Sequence, residues 1–272
     1  MTATECSKVT FFMVGCQRSG TTWTDAALRD HTAVFVPESK QSYFFDRNYD
    51  KGIDWFMERF DGAQPTQTAV GEIATGYCLK EAVPRMAKHF PNVQLLMVMR
   101  NPIDRAYSNY QTRKTECGWT SFEQALEAEP DFLERGMYIE QIEVLLQYYD
   151  REKILFLLYD ELNKDDRGYL KSILDFLGVD SNRESSLFGQ RKNAALFPVL
   201  RKWLRAFGLN YFITLTSRST IGDWIRRNRK NKGKAYQPMN PETKEKLIEY
   251  FRPYNDRLST LLQRDLSHWN GE

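Results

Sequence analysis

The chain has 272 residues, 42% hydrophobic and 14% aromatic, enough to close one large core. Lys and Arg number 38 against 36 Asp and Glu, so no global field draws in nucleic acid or an anionic membrane, and any anion has to be gripped locally. Cys6, Cys16, Cys78 and Cys117 lie far apart without a CxxC pair, which points to reduced thiols rather than a small secreted disulfide framework. No stretch approaches the roughly 20 apolar residues of a membrane helix. The first apolar run, Val9 to Gly15, is too short for a secretory leader, so the expectation is a cytoplasmic protein.

Val9 to Val14 (VTFFMV) is short, β-branched and aromatic, and predicts a buried strand that ends at Gly15. Thr21 to His31 follows as a helix, Val34 to Val36 as a short strand, and Pro37 to Tyr43 as a loop. Ile53 to Phe60 carries apolar residues at helical spacing, and Ala69 to Glu72 is a strand candidate. Leu79 to His89 reads as a helix interrupted near Pro84, and Val93 to Met99 (VQLLMVM) as a central strand covered on both faces. Pro102 occupies a favoured first-turn position and opens a helix through about Thr115. Gly136 to Tyr149 is helical, Lys153 to Tyr159 (KILFLLY) a strand, and Asp166 to Leu177 a helix stopped by Gly178. Such alternation predicts an α/β protein with a mainly parallel sheet whose ligands bind at the carboxyl ends of the strands.

The pattern changes after Ser181. Segments rich in Arg and Trp, Pro198 to Phe207 and Tyr211 to Arg227, predict a helical cap or flap over about 196–230. A basic loop, Arg229 to Pro238, then precedes two closing helices, Pro241 to Phe251 and Pro253 to Leu266. The domain reading is a single unit, 1–272, with the cap as an insertion.

The turn Gly15-Cys16-Gln17-Arg18-Ser19-Gly20-Thr21-Thr22 joins the first strand to the first helix, where backbone N–H groups and the positive helix end can cradle a phosphate. It nearly matches the GxxxxGK[ST] loop of nucleoside triphosphate enzymes, but Thr21 stands where that motif requires Lys, and the nearby cation is Arg18 inside the turn. A triphosphate enzyme also needs a metal-holding acid, a part Asp160 can fill. A kinase or NTPase is therefore one alternative, and a structural turn capped by Thr21 another.

The string QRSGTTW resembles the 5′-phosphosulfate loop of sulfotransferases that use 3′-phosphoadenosine 5′-phosphosulfate (PAPS), and further motifs extend the resemblance. Arg100-Asn101-Pro102-Ile103-Asp104-Arg105-Ala106-Tyr107-Ser108 is similar to the family's 3′-phosphate motif, in which an Arg at a strand end and a Ser eight positions later hold the extra phosphate. That spacing sets Ser108 about two helical turns beyond Arg100, so both can face one crevice. Lys153 to Leu162, the DFLG of Asp175 to Gly178 and the tail Lys232 to Trp269 resemble the heparan-sulfate-type and bacterial branch, so the likeness covers nearly the whole chain.

The resemblance implies a three-layer P-loop-like fold and a donor site of Gln17, Arg18, Ser19, Gly20, Thr21, Thr22, Trp23, Arg100 and Ser108, with Lys232, Gly233 and Lys234 folding over the nucleotide. It implies in-line attack on sulfur, with PAPS as co-substrate, its bisphosphate PAP as product, and no metal. Arg18 would stabilise the charge growing on the leaving oxygen, and Trp23 would stack on adenine. Lys40-Gln41-Ser42-Tyr43-Phe44-Phe45-Asp46 resembles the branch's KExHFFD, whose Glu is the base. Gln41 stands in that place and cannot take a proton, so the expected base is Glu72, then Glu38, then His31. Ile73 and Tyr43 replace a Lys and a His of the glycan enzymes. With Gln41, Tyr43, Phe44, Phe45, Tyr77 and Trp119 near the acceptor, the expected acceptor is a small molecule such as a natural product, taken at a hydroxyl or amine. Gln41 in place of Glu leaves a third alternative, a nucleotide-binding protein without catalysis.

Overall fold

A computed structural model describes residues 8–182, 185, 187–189 and 238–271. The expected cap at about 196–230 and the triplet Lys232, Gly233 and Lys234 lie outside the described residues, as does Cys6. Apart from Pro238, what is described belongs to one unit, Met1–Gln190 with Met239–Glu272.

Five strands form the sheet: β1 (Phe11–Gly15), β2 (Val34–Phe35), β3 (Ala69–Ile73), β4 (Gln94–Met99) and β5 (Ile154–Leu158). They run parallel in the order β2-β3-β1-β4-β5. The chain leaves β1 toward β2, returns through β3, and crosses to the other side of β1 for β4, so the connections diverge at the carboxyl end of β1. An open parallel sheet binds ligands at such a divergence. Every residue of β1 and β3 is buried, the burial expected of strands covered on both faces. Alternate residues feed two layers. Phe12, Val14, Leu95 and Met97 pack into one core with Phe44, Phe45 and Phe56. Phe11, Met13, Leu96 and Val98 pack into the other with Trp23, Leu28 and Ile173. Phe11 lies opposite Gly71 across the β1–β3 pair, and a Cβ at Gly71 would fall 2.2 Å from the Phe11 carbonyl oxygen, so only glycine lets these strands approach.

The helices are α1 (Thr21–Arg29), α2 (Phe44–Arg47), α3 (Gly52–Met57), α4 (Ala82–His89), α5 (Pro102–Cys117), α6 (Phe122–Ala128), α7 (Asp131–Glu134), α8 (Tyr138–Leu145), α9 (Tyr159–Lys164), α10 (Asp166–Leu177) and α11 (Pro241–Leu262). Pro84 does not interrupt α4 but sits in its first turn, where a missing N–H costs no helical bond. The two closing helices expected around Pro253 are one. α11 runs through that proline because Leu247, Phe251, Leu258 and Leu262 bury a stripe on both sides of it, and packing of this kind outweighs a local propensity penalty of about 3 kcal/mol. Ile103, Ala106, Phe122, Phe132, Leu247 and Phe251 join α5, α6, α7 and α11 in a third cluster. Among the described residues, no helix is long and apolar enough to cross a membrane.

Candidate active site

The phosphate-loop turn runs from the end of β1 to Gly20, whose left-handed φ of 86° brings the chain into α1. Among the described residues no side chain caps this helix end, and its first turn carries no acid. The amides of Gly20, Thr21 and Thr22 find no acceptor among the described residues. A helix start with unpaired N–H groups and uncompensated positive dipole is suited to an anion. Ser19 and Thr21 are buried and Thr22 is exposed, while Gln17 is half-buried beside Arg18.

Arg18 has a positive φ of 70°, an uncommon conformation for a residue with a Cβ. Its guanidinium meets Ser108, 90 positions away in sequence: Nε donates to the serine Oγ at 3.1 Å and Nη2 at 3.0 Å. Arg100 donates from Nη1 to the Arg18 carbonyl at 3.4 Å, lies over the Tyr159 ring at 4.9 Å, and stands 3.7 Å from Asp104. The local sequence explains the placement. Arg100 follows β4 directly, Asn101 caps α5 by accepting from the amides of Ile103 and Asp104, and Pro102 fixes the first helical residue, which carries Ser108 back over the crevice. Tyr138 on α8 donates its hydroxyl to the Arg100 carbonyl at 2.8 Å and so fixes the strand exit from behind. Arg18, Arg100 and Ser108, taken from two motifs, thus meet at the ends of β1 and β4.

Trp23 is not laid open along this crevice. It is buried, edge-to-face with Tyr169 at 6.0 Å, and belongs to the core beneath α1, so the expected stacking face is largely taken up by packing. Asp160, the acid a triphosphate reading requires, accepts from Trp269 Nε1 at 3.0 Å and lies 3.3 Å from His268 Nε2. Among the described residues no cluster of His, Cys, Asp and Glu could hold a metal.

The acceptor-side residues separate into two groups. Gln41 and Tyr43 come together: the Gln41 amide donates to the Tyr43 hydroxyl at 2.6 Å and accepts from the Thr75 amide at 3.3 Å. Tyr43 is 37% exposed and lies under the Arg47 guanidinium at 4.9 Å. Phe44, Phe45 and Tyr77 have no exposed surface. Phe44 stacks on Phe56 at 4.8 Å, so these rings are core and do not form the expected rim. Trp119 packs against Phe132 at 5.5 Å with Arg113 above it, in the α5–α7 cluster.

Glu72 does not have the access a base needs. It has no exposed surface, and four donors fill its two oxygens. Oε1 accepts from the Ser42 amide and from Arg59 Nη2 at 3.1 Å, and Oε2 accepts from Ser42 Oγ at 3.1 Å and the Tyr77 hydroxyl at 2.8 Å. A carboxylate offers about four acceptor positions, so none is left for an incoming acceptor's proton. Burial raises the Glu72 pKa above the usual carboxylate range, while Arg59, Tyr77 and Ser42 pull it back down. Burial likewise drives the Tyr77 hydroxyl far upward, so it stays protonated and donates. His31 is also occupied: Nδ1 accepts from the Ala33 amide at 3.1 Å, which leaves Nε2 to donate to the Asp180 carbonyl at 2.8 Å. Glu38 is exposed on the loop between β2 and α2.

That loop also carries a residue that sequence reasoning quoted but did not assign. Lys40 reaches the start of α1, with Nζ 3.2 Å from Thr21 Oγ1 and 3.5 Å from Thr22 Oγ1.

A parallel sheet with an uncapped helix start, an in-loop arginine and an arginine and a serine converging from the end of β4 is a layout suited to an anionic ligand without a loop lysine. The family model described as the sulfotransferase domain matches residues 8–259, and the chain belongs to that family. It is 25% identical over 271 residues to the mouse (Mus musculus) heparan sulfate glucosamine 3-O-sulfotransferase 3A1, covering 95% of this chain and 64% of that protein. It is 26% identical over 275 residues to the Xenopus tropicalis bifunctional heparan sulfate N-deacetylase/N-sulfotransferase 1, covering 93% of this chain and 29% of the relative. The chain thus spans less than two thirds of the length of these relatives. Among solved structures, a sulfotransferase from Alicyclobacillus acidocaldarius shares the fold with a TM-score of 0.71 at 24% identity, covering 96% of this chain and 98% of that one.

Proposed function

We propose that the protein transfers a sulfuryl group from PAPS to a hydroxyl or amine of an acceptor. The observation that carries this reading is the convergence of Arg18 on Ser108, with Arg100 on the Arg18 carbonyl, beside the open amides of α1. Two separated anions on one ligand fit this arrangement: one at the helix start and Arg18, one toward Arg100 and Ser108. The donor supplies the sulfuryl group and departs as the bisphosphate. In this reading Arg18, in the turn that precedes α1, stabilises the charge that develops on the departing oxygen, and the α1 amides hold the adjoining phosphate.

In this reading Glu72 is a positioning residue. Through Ser42 and Tyr77 it fixes the loop that carries Gln41 and Tyr43, and Glu38 is the exposed carboxylate left to take the acceptor's proton. The small-molecule expectation rested on the replaced Lys and His at Ile73 and Tyr43 and on an aromatic rim, of which Phe44, Phe45 and Tyr77 are buried. An amide, a phenol and the Arg47 cation instead suit a hydroxylated, saccharide-like acceptor, which agrees in kind with the heparan sulfate named in the relatives' descriptions.

Calorimetry with PAP in the presence of chelator tests the donor, and labelled PAPS offered to an unsulfated glycosaminoglycan and to a panel of phenols and alcohols tests the acceptor. Binding of PAP, with Arg18→Ala losing turnover far more than PAP affinity, supports the proposal. Binding of ATP with magnesium and not of PAP would assign a kinase instead. PAP binding without transfer to any acceptor would leave a nucleotide-binding protein, and labelling of the small-molecule panel alone would restore the smaller acceptor.

A further inference from the structure

Thr21 occupies the place of the lysine in triphosphate loops, so the phosphate-loop turn is one ammonium short. The structure brings a lysine to that place from elsewhere in the chain. Lys40 Nζ lies 3.2 Å from the Thr21 hydroxyl and 3.5 Å from that of Thr22, so it stands at the uncapped start of α1. A hydroxyl that accepts from an ammonium has its own proton free to point elsewhere. Both threonines are therefore turned into donors, and an ammonium has three N–H groups, so one remains. Lys40 is half-buried and makes no ion pair among the described residues. Asp25 on α1 acts on it as an opposite charge without forming an ion pair, so a partly desolvated ammonium there still gains from an arriving anion.

The flanks of Lys40 are fixed. Arg29 on α1 donates to the carbonyls of Val36 at 2.9 Å and Pro37 at 2.6 Å, and Arg59 donates to the Ser39 carbonyl at 2.7 Å. On the other side Gln41 is held by the Thr75 amide and Ser42 by Glu72. The side chain is thus aimed at the helix start from an anchored backbone.

We propose that Lys40 is a donor-binding residue that supplies from the acceptor-side loop the ammonium missing from the phosphate turn, contacting the anionic 5′ end of the nucleotide at Thr21 and Thr22. The inference rests on the donor assignment above. It makes one side chain a link between the two half-sites, since Lys40 directly precedes Gln41. Burial lowers the Lys40 pKa below the usual lysine value, with Asp25 opposing and Arg29 reinforcing the shift from α1.

The test is calorimetric binding of PAP and of adenosine 3′-monophosphate, which lacks the 5′ anion, to wild type, Lys40→Met and Lys40→Arg. Thermal melts confirm that each variant folds. Losing one charge-assisted contact should weaken PAP about ten- to a hundredfold in Lys40→Met and leave adenosine 3′-monophosphate unchanged, with Lys40→Arg keeping most of the affinity. Wild-type PAP affinity should also fall as pH rises through the lowered lysine range, while that of Lys40→Arg stays level. Unchanged PAP binding in Lys40→Met, or an equal loss for both ligands, overturns the inference while the donor assignment stands. Failure of wild type to bind PAP at all overturns both.

Discussion

Replacing Glu72 by Gln separates a base from a brace. In the structure Glu72 has no exposed side-chain surface and its partner Arg59 retains 16%, so the substitution removes the anion from a nearly dry pair. Taking one member from a buried pair costs about 3–5 kcal/mol. Arg59 keeps its bond to the Ser39 carbonyl and a little water, which places the cost near the lower end, about 3 kcal/mol. The new amide also turns a donor toward Ser42 or Tyr77, both of which now donate to the carboxylate. In a domain of this size that loss corresponds to a melting point lower by roughly 6–12 °C. Urea denaturation gives the free energy, and turnover and PAP binding are measured on the same samples. The expected result is a lower midpoint with PAP affinity close to wild type and turnover reduced only as far as the acceptor loop loosens. A variant with the wild-type midpoint whose turnover is reduced by about 10²- to 10⁴-fold would refute the reasoning and restore Glu72 as the base.

Because the Glu72 pKa is raised in the fold, the proton-linked part of its contribution to stability is complete below the ordinary glutamate range and is lost as pH climbs through the raised value, while the part carried by its pair with Arg59 remains. The stability difference between wild type and Glu72→Gln, followed by denaturation at a series of pH values, should shrink across that window and level off above it. Ser108→Ala removes the acceptor of two Arg18 N–H groups and should weaken PAP about tenfold by calorimetry, with a larger loss in Arg100→Ala, where a charge is removed. Gly71→Ala forces a methyl onto the Phe11 carbonyl and should cost about 3 kcal/mol or more in a denaturation experiment.

The strands were legible because a central parallel strand must be apolar on both faces, and VTFFMV, VQLLMVM and KILFLLY announce that directly. The donor half of the site was legible for a related reason: its residues sit at strand ends and first helical turns, where sequence spacing fixes position. α6 and α7 were missed because they are short and polar, and their place comes from tertiary packing of Phe122 and Phe132 on α5 and α11. Pro253 misled in the same way, since local chemistry argues for a break that a buried stripe overrides. The burial of Glu72 had a signal in AVGEI, an acid inside a strand with no polar alternation, but the four donors that saturate it come from residues 5 to 30 positions away. Lys40 was hidden by distance too. Its contact with Thr21 spans 19 positions and depends on how Arg29 and Arg59 anchor the loop.

Trp269 ties two remote starting points together: its ring N–H reaches Asp160 at the entrance of α9, and its carbonyl accepts from Asn101 at 3.4 Å, the residue that caps α5. The carboxyl-terminal segment therefore works as a buttress behind Arg100. Trimming the chain ahead of Trp269, or fusing a bulky tag that dislodges that indole, would loosen the nucleotide grip from behind. Such damage would look like a binding defect although every residue of the site is still present.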